Sequence, residues 1–359
     1  MERRVTPSDP SLPPVILPGR ADDMRAEIVV SVSRGEAGGG ERMHLSGTLV
    51  GPRRGRDMTL PTTVKLVDCT GDAAVHAGHA DARAVFTEPA YWTPELPNLY
   101  RLQAKVQRGD QTVAVIDRMV GLRRLGVRGR SLWLEGRRWV PRGVTIPSAG
   151  FDPTSLRSLS AAAVIDDPFD AICAAADQAG VAIIARLVDA DGMPLEPATA
   201  AERIAAWALH PSVVMAVVPR LAFADQAAAV VAAARPLKGT MLVGVEVDGA
   251  QPPDVPPPAT VAAADCIVVD LPPDGLPHDG WRSGIPSGGN KPLVAQRAGS
   301  TGTGMAPELR QECDRLQAAL AAWGCGQGTS QLPWDWAGYS VSRSLGDVAL
   351  GNHERDDRS

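Results

Sequence analysis

His210-Pro-Ser-Val-Val-Met-Ala-Val-Val-Pro-Arg-Leu221 is the stretch that decides the fold of this chain. Its apolar centre, VVMAVVP, reads as one strand of a repeating series. Beyond Trp139, strand-like runs alternate with helical ones, the pattern of βα units around a parallel sheet. The strands read as WVPRGVTI, AAAVI, VAIIARLV, VVMAVVP, TMLVGVEV, DCIVVDL, KPLVAQRA and TSQLPWDWA. Between them DPFDAICAAADQAG, ATAAERIAAWALH, ADQAAAVVAAARPL and APELRQECDRLQAALAAWG read as helices, with Gly180 and Gly324 at C-cap positions. Eight strands in about 210 residues predict a compact (β/α)8 TIM barrel. The fifth connection contains PPDVPPP, Pro252 to Pro258, so its outer helix should be shortened or lost.

Upstream, AEIVVSVSR, RMHLSGTLV, TTVKLVD, ARAVFTEPA, YRLQAKVQR and QTVAVIDRMV alternate in polarity and are separated by Gly, Asp and Pro clusters, as in a small antiparallel sandwich. The expected organisation is an unordered lead-in at 1–20, a sandwich at 21–125, a barrel at 126–348 and a solvated tail at 349–359.

The chain has 359 residues, 44% of them hydrophobic, mostly Ala, Val and Leu, enough for two finely packed aliphatic cores. A net charge of -5 gives no general reason to bind nucleic acid or an anionic membrane. No apolar run approaches the roughly 20 residues of a membrane span. The N-terminus lacks the apolar core of a secretory signal. Five scattered cysteines suit reduced thiols, so the expected location is the cytoplasm.

Several phrases, in order, carry a family resemblance. HPSVVMAVVPRL resembles the fourth barrel strand of glycoside hydrolase family 2, the β-galactosidase, β-glucuronidase and β-mannosidase group. There the phrase runs approximately H-P-S-[IV]-[IV]-M-W-S-x-G-N-E. YWTPELPNLYRLQAKV, Tyr91 to Val106, resembles the phrase that closes the family's immunoglobulin-like domain. GLRRLGVRGRSLWLEGRRWVPRGV, Gly121 to Val144, resembles its linker, hairpin and first barrel strand. The resemblance spans residues 25–345 and implies an immunoglobulin-like β-sandwich followed by the catalytic-type barrel, without the family's N-terminal jelly roll.

It also implies where the chemistry should lie. Retaining glycosidases use two carboxyl groups about 5–5.5 Å apart, a nucleophile and an acid/base. In register, the acid/base position holds Leu221 and the Asn before it is Arg220. KPLVAQRAG places Arg297 at the nucleophile position, a cation facing an oxocarbenium-like transition state. The first three strand ends also lack the family's residues, offering Thr145 and Pro147, then Ser160 through Ile165, then Ala185 and Arg186. The expectation is a pseudoenzyme, a non-catalytic binding or scaffolding protein needing no cofactor or metal. The alternative is a glycosidase or transglycosidase on β-glycosides with relocated carboxylates, Glu246, Asp270 and Asp335 foremost, with Asp189, Asp191 and Asp248 nearby.

Arg186, Arg220 and Arg297 at strand ends suggest a pocket for an anionic small molecule, and the loop Gly299 to Gly304 adds to it. Trp334 and Trp336 are candidates for the floor of a saccharide site. The competing reading is that these arginines neutralise the acids and the tryptophans fill the core. His76 and His79 have metal-like spacing without a third ligand. The partners left open are a saccharide, an anionic small molecule or a protein.

Overall fold

The structure, a computed structural model, describes residues 14–33, 43–55, 57–69, 79–254, 258–273, 275–283, 291–298, 305–325 and 336–342. The first seven strands are β1 (Pro14–Ala21), β2 (Arg25–Ser33), β3 (Met43–Arg54), β4 (Asp57–Asp68), β5 (His79–Thr87), β6 (Leu99–Arg108) and β7 (Gln111–Val120). They pair antiparallel in the order β1-β2-β5-β4-β3-β6-β7. β4 lies along β3 for most of its length and meets β5 only at Val67 and Asp68, so it joins the two faces of the sandwich. Every second residue points inward: Ile28, Val30 and Val32, beside their cross-strand neighbours Ala84, Ala82 and Ala80, share one core with Leu102, Ala104 and Val106.

β1 corrects the expectation of an unordered lead-in. Residues 1–20 are Pro-rich and polar, yet Pro14–Ala21 pairs with β2 and buries Ile16. The strand is at the edge of the sheet, where a missing N–H costs no ladder bond.

A hairpin sheet of β8 (Leu125–Arg128), β9 (Ser131–Leu134) and β10 (Arg137–Trp139) links the sandwich to the barrel. The barrel strands are β11 (Arg142–Thr145), β12 (Ala162–Asp166), β13 (Ile183–Arg186), β14 (Val213–Val218), β15 (Leu242–Asp248), β16 (Cys266–Leu271), β17 (Leu293–Ala298) and β18 (Trp336–Ser342). All pair in parallel, and β18 closes on β11. The lumen is filled by Ala162, Val164, Ile184, Met215, Val217, Cys266, Val268 and Val294, a packed core rather than a pore.

The outer layer holds α1 (Pro153–Ser158), α2 (Asp170–Ala179), α3 (Pro197–Trp207), α4 (Ala224–Ala234), α5 (Ala259–Ala263) and α6 (Ala306–Cys325). α5, after the proline run, is shortened as expected, and among the described residues the sixth connection carries a 3₁₀ turn, Asp279–Ser283. Gly180 ends α2 in the left-handed conformation, with φ 76°. α6 runs one residue past Gly324, which is buried in its last turn. Of the expected eighth strand TSQLPWDWA, Trp336 and Ala337 are described and both belong to β18; the residues before them lie outside the described residues. The run that follows, Gly338 to Val341, is buried throughout and supplies both faces of the closing strand.

Among the described residues no helix is long and apolar enough to cross a membrane, and no group of three or more His, Cys, Asp or Glu is placed to hold a metal ion. His76 lies outside the described residues.

Candidate functional site at the barrel mouth

Side chains alternate between lumen and helix layer along each strand. Val164, Ile184 and Val268 face the lumen, so two residues further on Asp166, Arg186 and Asp270 do so at the C-terminal mouth. Glu246 and Asp248 enter from β15, and Arg220 follows β14. Arg186 lies 3.1 Å from Asp166 and 3.6 Å from Glu246. Arg220 lies 3.3 Å from Asp248 and 3.7 Å from Asp270. Two guanidinium groups thus meet four carboxyls.

Burial dominates the electrostatics. It raises the Glu246 carboxyl above its ordinary value, against the opposing pull of Arg186. Asp270 is raised for the same reason, with Arg220 and Arg186 opposing and the Asp248 charge adding to the shift. Glu246 Oε2 and Arg186 Nε are buried and form no hydrogen bond among the described residues. Both shifts favour the protonated forms of these carboxyls.

Arg297 is not part of this cluster. Leu293 and Ala295 pack in the helix-side core, so Arg297, two residues on, faces outward and pairs with Glu312 of α6 at 3.6 Å. The lumen position at the end of β17 belongs to Gln296, whose side chain acts on both the Glu246 and Asp270 carboxyls. The motif register alone gave no sign of Gln296; strict alternation from Val294 would have. The expected three-arginine anion pocket is therefore a pair of arginines, each already facing two acids.

Leu221 lies in the turn after β14 and is 61% exposed. Asp189 accepts from the backbone N–H groups of Asp191 and Met193 and shapes a turn. Trp336 is buried at the start of β18, opposite Leu293, in the helix-side core and away from the mouth. Trp334, Asp335 and the Gly299 to Gly304 loop lie outside the described residues.

The opening residues of HPSVVM work at the other end of the barrel, against the sandwich. His210 Nδ1 lies 2.7 Å from Asp177 on α2, and its Nε2 lies 3.0 Å from Asp170. Asp177 also accepts the backbone N–H of Ser212. Arg123, from the linker, is buried and donates through Nη1 to the carbonyls of His210, Pro211 and Val213 at 2.9, 2.6 and 2.8 Å. Burial brings its guanidinium down to about 10, so it remains charged at neutral pH. Trp92 donates to the Asp177 carbonyl. Gly121 lets Pro211 come so close that an added Cβ would lie 2.5 Å from the proline ring. The retained phrases join the two domains.

Residues 20–123 match the family model described as glycosyl hydrolases family 2. No curated protein sequence matches the chain. Among solved structures, the Bifidobacterium dentium β-glucuronidase complexed with coumarin-3-O-glucuronide is 14% identical, with a TM-score of 0.56 over 91% of this chain and 59% of its own. The Ruminococcus gnavus β-glucuronidase in complex with D-glucaro-d-lactam is 13% identical, TM-score 0.62, over 91% and 60%. A family 2 member from Bacteroides cellulosilyticus is 12% identical, TM-score 0.59, over 92% and 43%. At these identities the likeness is one of fold, and the chain spans 43% to 60% of the length of these three structures. In the sequence of its sandwich this chain matches the glycosyl hydrolase family 2 model, and in the fold of sandwich plus barrel it is similar to the β-glucuronidases of that family.

Proposed function

We propose that this protein is a non-catalytic member of the family 2 fold, a pseudoenzyme retained for binding or scaffolding. The observation that carries the reading is the filling of the mouth by Arg186 and Arg220, each held between two acids. Double displacement needs one free carboxylate and one proton donor aimed at the same glycosidic oxygen and carbon. Leu221, at the acid/base position, has no proton to give.

A binding role draws support from the rim. Phe169, Met193, Leu221, Phe223, Leu276 and Met305 are between 45% and 76% exposed, and all lie in connections that follow barrel strands. A protein partner or a saccharide is the ligand class, and the five free cysteines fit a reducing cytoplasm. A second reading, glycoside hydrolysis by a rebuilt pair of Glu246 and Asp270, is favoured by the raised values of both acids on neighbouring strands.

The deciding experiment is hydrolysis of aryl β-galactoside, glucuronide, mannoside and glucoside by the purified chain. Turnover no greater than that of an unrelated control protein supports the binding role. Turnover abolished by Glu246→Gln or Asp270→Asn establishes the second reading instead.

A further inference from the structure

Away from the mouth, β1, the linker hairpin and the loop between α4 and β15 enclose a cleft of about 400 Å³. That lies within the roughly 300–1,000 Å³ range of small-molecule sites. Its charged lining is wholly basic: Arg123, Arg124, Arg128 and Lys238, with no acid. Two of these are already engaged, Arg123 by barrel carbonyls and Arg124 by Asp23 and Glu135. Arg128 and Lys238 are exposed and form no ion pair with a described residue.

The cleft also has an aromatic wall. The Arg128 guanidinium lies over the Trp133 ring at 4.4 Å. Trp133 Nε1 is buried without a hydrogen-bond partner among the described residues, an unmet donor at this wall. Gly126 stands directly opposite Trp133 in the hairpin register, and a Cβ there would meet nothing within 4 Å. The glycine therefore leaves open the space beside the ring that a cross-strand side chain would fill.

We propose that this cleft binds a small anionic sugar, its phosphate or carboxylate paired with Arg128 and Lys238 and its ring packed against Trp133. Cations without acidic partners recognise the charge, and the tryptophan face recognises the sugar ring. The site is separate from the barrel mouth and stands whether or not the mouth is catalytic.

Calorimetric titration of the full chain with glucose 6-phosphate, glucuronate, glucose and inorganic phosphate tests it. The expected result is binding of at least one anionic sugar, weakening as salt is raised, and tighter than binding of glucose or phosphate. Gly126→Leu, which adds a side chain from a Cβ position with nothing within 4 Å, and the double variant Arg128→Gln/Lys238→Gln should each weaken it by about tenfold or more at unchanged Tm. Binding of neither anionic sugar at about 10 mM overturns the proposal. So does binding that survives both variants, or glucose or phosphate binding as tightly as the anionic sugars.

Discussion

Arg186 on β13 reaches past β14 to place Nη2 3.6 Å from Glu246 Oε2 on β15. The most deeply buried acid of the mouth thus faces a cation. Removing one member of a buried pair costs about 3–5 kcal/mol, because the other charge is left without a partner. Arg186→Met should therefore lower Tm clearly, while Arg186→Met/Glu246→Leu should regain most of the loss. Thermal denaturation of the two variants checks this; equal Tm values for both would show that the pair is not coupled.

The raised carboxyls set a pH dependence. Glu246 and Asp270 sit above the ordinary 4.5 and 3.8, so the folded state holds protons that the unfolded chain has released. Their contribution to stability is fully present below the ordinary values and is lost as pH rises through the folded ones. Glu246→Gln/Asp270→Asn should flatten the fall in Tm as pH rises above about 4. Parallel Tm profiles for variant and parent would contradict the shift.

Arg123 holds the domains together by giving one nitrogen to three carbonyls. Arg123→Met strands those acceptors at about 1–3 kcal/mol each in the worst case. Calorimetry should show a lower Tm and a sandwich transition separated from that of the barrel. A single transition at the parent temperature would mean that the contact is dispensable.

The order of sandwich and barrel was legible in the sequence because both rest on periodicity. The two alternating patterns, period two before Val120 and strand–helix repeats after Trp139, map onto β2–β7 and β11–β17. What was hidden is instructive. Motif register placed Arg297 at the active centre, yet alternation along β17 turns it to α6 and brings Gln296 inward. A phrase match counts residues from a fixed proline, whereas a side chain's face depends on the pleat. Pro14 and Pro18 masked β1 because an edge position, which composition does not reveal, excuses their missing donors. HPSVVM pointed to the barrel's chemistry; its His210 in fact answers to Asp177 and Arg123 at the domain junction.

Asp177 is 3% exposed and accepts from Ser212 N–H as well as facing His210. Asp177→Ala should cost about 1–3 kcal/mol for each buried group it leaves unmet, and His210→Leu less than that, since Asp177 keeps Ser212. Denaturant titration of the two variants orders them, and a larger loss for His210→Leu would reverse the assignment of Asp177 as the hub.

The proposed pseudoenzyme has no carboxyl that acts as a glycosidic nucleophile. Retaining glycosidases pass through a covalent glycosyl-enzyme, so incubation with activated 2-deoxy-2-fluoro-glycosides followed by intact mass spectrometry tests it most directly. The expected result is an unmodified chain after prolonged exposure to the galactosyl, glucuronyl, mannosyl and glucosyl reagents. A stoichiometric adduct mapped to Glu246 or Asp270 would contradict it and establish a rebuilt active site.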